Sequence, residues 1–136
     1  MSATAFNLGG GKAKSVLLWS NSNPSSRQDA FTANLSQSLT NFDSIVIVTK
    51  PWFNDSAWNT AGWRTAGYFG PVPSPNVQTM FITADQRWRY MTVTSNTSIY
   101  FTTGYDGAGQ ENRGCIVTAI YGIKGFDASP LGLGNP

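Results

Sequence analysis

The chain has 136 residues, of which 12% are charged and 40% are hydrophobic, and its formal net charge is +2. This length predicts a single domain, and the hydrophobic share is too high for a disordered chain. Histidine is absent and there is one cysteine, which excludes histidine-dependent catalytic triads, an intrachain disulfide and the usual zinc sites.

The first half of the chain predicts three short β-strands after a glycine-containing flexible leader, residues 1–13. The first strand is the apolar run 16–19, which ends at a polar turn. Residues 31–35 alternate between apolar and polar and predict a strand with one solvated face, although 28–39 also fit a helical spacing. Residues 45–48 are β-branched on both faces and predict a central, covered strand.

The second half predicts four more strands, over residues 77–84, 87–94, 98–102 and 115–123. A polar, glycine-rich loop, 104–114, precedes the last of them. In that last strand the alternation places Val117, Tyr121 and Ile123 together on the core face, with Ala119. Cys115 begins the strand inside an apolar run, which favours a buried, unreactive thiol.

Seven to eight short strands without an amphipathic helix predict an all-β fold, an antiparallel β-sandwich of jelly-roll-like type. We expect the sandwich to span residues 14–125, between the leader 1–13 and an irregular tail, 126–136, that contains prolines and glycines.

The strongest sequence signal for a binding site is the segment 51–75, which combines aromatic residues and prolines without a strand pattern. Long loops between strands often carry function, and aromatic rings suit sugars as well as protein interfaces. An alternative is that these rings only cover the end of the sandwich. The candidate ligand-binding residues are Trp52, Trp58, Trp63 and Tyr68, together with Tyr105 and Asp106 from the glycine-rich loop. Trp19 and Trp88 lie on predicted strands and are interpreted as packing residues.

The remaining chemistry favours binding over catalysis, and we predict no catalytic residues, no metal site and no cofactor. A small polysaccharide-degrading enzyme stays an alternative, with a carboxylate pair drawn from Asp55, Asp106 and Glu111. The basic residues are scattered along the sequence, with only Arg87 and Arg89 close together on one strand face, which does not predict nucleic-acid binding. No run approaches the about 20 apolar residues that span a bilayer, so we expect no membrane insertion.

Two stretches carry a family resemblance. The first is 17–25 (LLWSNSNPS), followed by 31–35 (FTANL) and 42–48 (FDSIVIV), and the second is 115–125 (CIVTAIYGIKG). Together they resemble the C-terminal domains of bacteriophage and prophage tail proteins, which open on an LLWTNPNP-like strand and turn and finish on a CIPxxIYGIKG strand. Val117 stands where the family pattern has proline. The middle of the chain, including the aromatic segment, lies outside the resemblance.

The resemblance implies a virion protein, made in the cytoplasm of the bacterial host and exposed on the tail or another particle surface. Such domains act as receptor-binding tips of tail fibres, commonly as homotrimers, and contact a glycan or a protein of the host cell surface. The family supplies no fixed ligand-binding residues for this chain. A structural virion subunit, such as a baseplate, adaptor or capsid-decoration protein, remains the alternative.

Overall fold

A computed structural model describes residues 14–52, 63–83 and 86–125. These ranges contain eight strands in two four-stranded antiparallel sheets, which confirms the predicted all-β sandwich. The leader 1–13 and the tail 126–136 lie outside the described residues. The strands are β1 Lys14–Ser20, β2 Phe31–Asn34, β3 Ser44–Pro51, β4 Thr65–Pro71, β5 Thr79–Ile82, β6 Trp88–Ser95, β7 Ser98–Phe101 and β8 Cys115–Lys124, with one turn of 3₁₀ helix at Leu39–Asn41.

The strand order is β1-β8-β3-β4 in the first sheet and β2-β7-β6-β5 in the second. The first strand pairs with the last and the second with the seventh, as in a jelly roll. The strand β3 lies between β8 and β4, and it pairs with both of them. In the second sheet β5, β6 and β7 pair with their neighbours in sequence.

The core lies between the two sheets and is built from aliphatic and aromatic side chains of both. Trp19 on β1 stacks on Phe31 of β2 at 5.1 Å between ring centroids, and Phe31 stacks on Phe101 of β7 at 4.8 Å. This stack ties the first sheet to the second and confirms the packing role predicted for Trp19. Cys115 is fully buried, as predicted. The buried core residues with 2% exposure or less are Leu18, Ala33, Ile45, Ile47, Phe81, Met91, Val93, Ile99, Phe101, Cys115, Ile116, Val117 and Ile120.

The face predicted for the last strand was wrong beyond Val117. Val117 belongs to the core, but Tyr121 and Ile123 lie on the opposite face and are half-buried. The reason is an extra residue, Thr118, that the pairing of β8 with β3 skips. Such a bulge shifts a period-two pattern by one position, so that Ile120 takes the next core place.

The strand β4 was missed, because residues 51–75 were interpreted as a long loop. Its sequence contains Gly67 and Gly70 and exposes Phe69, so it lacks the alternation that marks a half-buried strand. The segment has a low intrinsic β-propensity, and it is a strand because it pairs with the strongly apolar β3. Tyr68 consequently lies on a strand and not on a loop.

Candidate functional site

Four connecting segments meet at one end of the sandwich, which we call the upper end. The pairing of Pro51 with Cys115 and of Ile82 with Trp88 places the end of β3, the start of β8 and the β5–β6 connection there. The β1–β2 and β7–β8 loops join them, since the N–H of Gln28 donates to the carbonyl of Arg113 at 3.0 Å. Residues far apart in sequence are thereby brought together.

A pocket of about 480 Å³ opens at this upper end. Its volume falls in the range of small-molecule binding sites. We call it the Trp52 pocket, and it is lined by Arg27, Trp52, Arg87, Glu111, Asn112, Arg113 and Gly114. The described part of this lining thus includes one of the predicted candidates, Trp52.

Trp52 is held at both its backbone and its indole ring. Its N–H donates to the carbonyl of Gly114 at 2.8 Å, and its Nε1 donates to the carbonyl of Ser25 at 2.7 Å. The side chain is half-buried. These bonds tie the residue after β3 to the β1–β2 and β7–β8 loops, so that the ring has a fixed position in the pocket wall.

Arg87, from the β5–β6 connection, bonds to the backbone on both sides of the Trp52 pocket wall. Its Nη1 donates to the carbonyl of Trp52 at 2.5 Å and to that of Gly114 at 3.3 Å. The guanidinium occupies the space that a Cβ at position 114 would take. A side chain at position 114 would therefore displace the guanidinium from its present place.

Two further arginines come from the loops on either side. The guanidinium carbon of Arg27 lies 4.6 Å from the centroid of the Trp52 ring, in a cation–π contact. Arg113 forms an exposed ion pair with Asp29 at 3.2 Å. Basic residues that are scattered along the sequence are thus brought together by folding, so that three arginines line one pocket.

Beneath the pocket lies a fourth arginine, Arg89, whose side chain is fully buried. Its Nε donates to the carbonyl of Cys115 at 2.6 Å, and its other nitrogens donate to the carbonyls of Gln28, Asp29 and Thr102. Burial lowers the pKa of this guanidinium, although an arginine keeps its charge. Arg89 therefore fixes the loops that carry Arg27 and Arg113.

The sequence interpretation placed Arg87 and Arg89 on one strand face, and both side chains do bond to adjacent carbonyl groups, those of Gly114 and Cys115. Arg87 precedes β6, and Arg89 points into the core together with Met91 and Val93. The spacing of Arg89, Met91 and Val93 was a signal for burial, since alternate strand residues share a face. It was missed because arginine is rarely buried unless it is paired.

Two other aromatic candidates of the segment 51–75, Trp63 and Tyr68, do not line the Trp52 pocket. Trp63 is 55% exposed, and Tyr68 lies on β4, where its hydroxyl donates to the carbonyl of Pro71 at 2.5 Å. Burial raises the pKa of Tyr68. Trp58, like Asp55, lies outside the described residues.

Tyr105 and Asp106 have structural partners of their own. The Tyr105 ring stacks on Trp88 at 6.0 Å between centroids. Asp106 Oδ1 accepts the backbone N–H of Ala108 and of Gln110, each at 3.0 Å, and so caps its own turn. Neither residue lines the Trp52 pocket. In the ranges that the structure describes, no three acidic, cysteine or histidine side chains are grouped to hold a metal ion.

No known protein family matches this chain, and neither does any curated protein. Among the described residues, no helix has the length and apolar character needed to cross a membrane. The function is therefore inferred from the chemistry of the pocket and from the resemblance of the strand sequences.

Proposed function

We propose that this chain is a non-enzymatic receptor-binding module of a bacteriophage tail, which attaches the virion to a glycan or protein on the host cell surface. It works on the exposed surface of the particle, as a homotrimer joined to other virion proteins. The resemblance of residues 17–25, 42–48 and 115–125 to phage tail domains supplies the biological setting. The observation that carries the binding role is the Trp52 pocket, in which a fixed indole is surrounded by hydrogen-bonding side chains.

The charges of the pocket favour binding over hydrolysis. As far as the described residues form its lining, the pocket contains one carboxylate, Glu111. Glycoside hydrolysis generally needs two carboxyl groups on either side of the scissile bond. Asp106, the nearest acidic residue in sequence, is engaged in its own turn. These features support a site that recognises a ligand without transforming it.

The test is binding of the fluorescently labelled, full-length protein to a panel of bacterial cells and purified envelope fractions. We expect saturable binding to at least one of them, weakened about tenfold or more by Trp52→Ala, as for a buried aromatic contact at an interface. Trp63→Ala, measured alongside, shows whether this second exposed ring also contacts the receptor. Tyr100→Ala, which alters an exposed aromatic on the outer face of β7, is the control that leaves binding intact.

Failure of the folded protein to bind any cell or envelope fraction would contradict the attachment role. A structural virion subunit is the second candidate, and the outer surface of β5 favours it. Met80 and Ile82 are each 50% exposed there, which suits contact with another virion protein. Antibody labelling of the particles separates the two roles, since a capsid position contradicts attachment through the tail.

A further inference from the structure

We infer that the Trp52 pocket binds an anionic saccharide, a sugar that carries a carboxylate or a phosphate group. This rests on the proposed attachment role and names the ligand class within it. A neutral glycan or a protein receptor would satisfy the proposed function equally well, so the inference can fail while that function stands.

The first argument is the concentration of positive charge. The chain has nine lysines and arginines and a formal net charge of only +2, yet Arg27, Arg87 and Arg113 all line this one pocket. Glu111 is the carboxylate in the described lining, and Asp29 pairs with Arg113 from outside it. That ion pair is solvent-exposed and therefore weak. Three guanidinium groups are thus concentrated at one site, and such groups are common partners of carboxylates and phosphates in proteins.

The second argument is the state of the Arg27 side chain. Its guanidinium lies over the Trp52 ring at 4.6 Å, and within the described ranges it makes no hydrogen bond. A guanidinium presents its donors as a planar fork that matches the two oxygens of a carboxylate or a phosphate. Stacking on the fixed indole restricts the plane of that fork before a ligand arrives, which lowers the entropy lost on binding.

The third argument concerns the part of the ligand that is not charged. Oδ1 of Asn112 accepts the N–H of Gly114 at 2.8 Å, which orients the amide in the pocket wall. Its NH₂ group then serves as a donor for a sugar hydroxyl, and the indole edge of Trp52 supplies apolar contact. The volume of about 480 Å³ exceeds what a bare inorganic anion needs. These features select a sugar bearing an anionic group over the anion alone.

The experiment is calorimetric titration of the intact chain with five probes. These are an oligogalacturonate, maltose 1-phosphate, neutral maltotriose, inorganic phosphate and a single-stranded oligodeoxynucleotide. We expect the carboxylated or the phosphorylated saccharide to bind and the other three to bind at least about tenfold more weakly. Maltotriose lacks the charge-assisted hydrogen bonds, inorganic phosphate lacks the sugar, and the oligonucleotide carries its phosphates on a chain of a different shape. Which of the two anionic sugars binds tells the carboxylate from the phosphate.

The arginine is tested with a charge-matched pair of variants, Arg27→Gln and Lys124→Gln. Both remove one positive charge, but Lys124 is exposed at the far end of β8, about 30 Å of strand away from Cys115. We expect Arg27→Gln to weaken binding of the anionic saccharide about tenfold or more, and Lys124→Gln to change it less than about twofold. Thermal unfolding confirms that both variants are folded.

Four results would overturn the inference: maltotriose binding as tightly as the charged sugars, inorganic phosphate or the oligonucleotide doing so, no probe binding, or Arg27→Gln behaving like Lys124→Gln. The cell-binding assay keeps this separate from the proposed function. Binding to cells that neither anionic saccharide competes away, and that Arg27→Gln leaves unchanged, refutes the ligand class but preserves attachment. Saccharide binding without cell binding refutes attachment alone.

Discussion

The buried arginine beneath the pocket offers the sharpest test of how this sandwich is stabilised, through the substitution Arg89→Met. Arg89 is fully buried and donates to the backbone carbonyls of Gln28, Asp29, Thr102 and Cys115. Methionine has a similar length and fits an apolar cavity, but it has no donor. The four carbonyl groups would therefore lose their charged partner while the strand β6 keeps its core contacts.

The magnitude follows from opposing terms. A hydrogen bond to a charged group contributes about 1.5–3 kcal/mol, and a buried acceptor left without a donor costs about 1–3 kcal/mol. In the other direction, the Arg89→Met variant no longer removes a cation from water when it folds, which stabilises the folded state by several kcal/mol. Because four carbonyl groups lose this donor together, the loss outweighs that gain, and we expect a net destabilisation of about 3–5 kcal/mol. It is a large share of the total stability of about 5–15 kcal/mol.

The assay is urea-induced unfolding followed by tryptophan fluorescence, with Lys124→Met as the control. Lys124 is exposed at the end of β8, so its replacement should change the free energy of unfolding by less than about 0.5 kcal/mol. A loss below about 1 kcal/mol for Arg89→Met would refute the reasoning, because the carbonyl groups would then have found other partners. A more stable variant would show that desolvation of the cation outweighs its hydrogen bonds.

Three further results are expected elsewhere in the fold. Gly122→Ala should lower the free energy of unfolding by about 1–3 kcal/mol in the same urea assay, since the new Cβ would lie 2.5 Å from the Phe42 ring; an unchanged midpoint would contradict this close packing. Burial raises the pKa of Tyr68 above its ordinary 10.0, so its hydroxyl stabilises the fold below pH 10 and that contribution is lost as the pH rises through the higher folded pKa. An absorbance titration should show one late-ionising tyrosine that Tyr68→Phe removes, and an identical curve for the variant would refute it. Cys115 is fully buried, so a thiol reagent should label it only as fast as the protein unfolds, and rapid labelling of the folded protein would contradict its burial.

The fold was largely predictable because most strands carry their own signal. The β-branched run of β3 and the alternation of β2 depend on side chains that are adjacent in sequence. The strand β4 and the bulge at Thr118 do not, because both arise from how one strand pairs with another. The sequence of one strand does not contain information about its pairing with another strand. This is why β4 and the bulge at Thr118 were not predicted.

In the candidate site, too, residues with a local sequence signal were predicted and residues that meet only on folding were not. Trp52 was predicted from a local excess of aromatic residues, and the structure places it in the pocket wall. The convergence of Arg27, Arg87 and Arg113 was not predicted, since the three come from different loops and meet only when both sheets have formed. Arg89 had a local signal in its alternation with Met91, but the general preference of arginine for solvent outweighed it.

One departure from the phage tail pattern bears on how rigid the pocket is. Position 117 is valine where the resembling domains have proline, and its N–H donates to Oε1 of Gln28 at 2.8 Å. Nε2 of Gln28 in turn donates to the carbonyl of Val117 at 3.3 Å, and Arg89 bonds the carbonyl of Gln28 from below. A proline would have no N–H for the first of these bonds. Arg27 directly precedes Gln28 in the sequence. The bonds of Gln28 to β8 and to Arg89 of β6 therefore hold the loop that carries the Arg27 guanidinium. Because this loop is already ordered, binding of a ligand costs less conformational entropy.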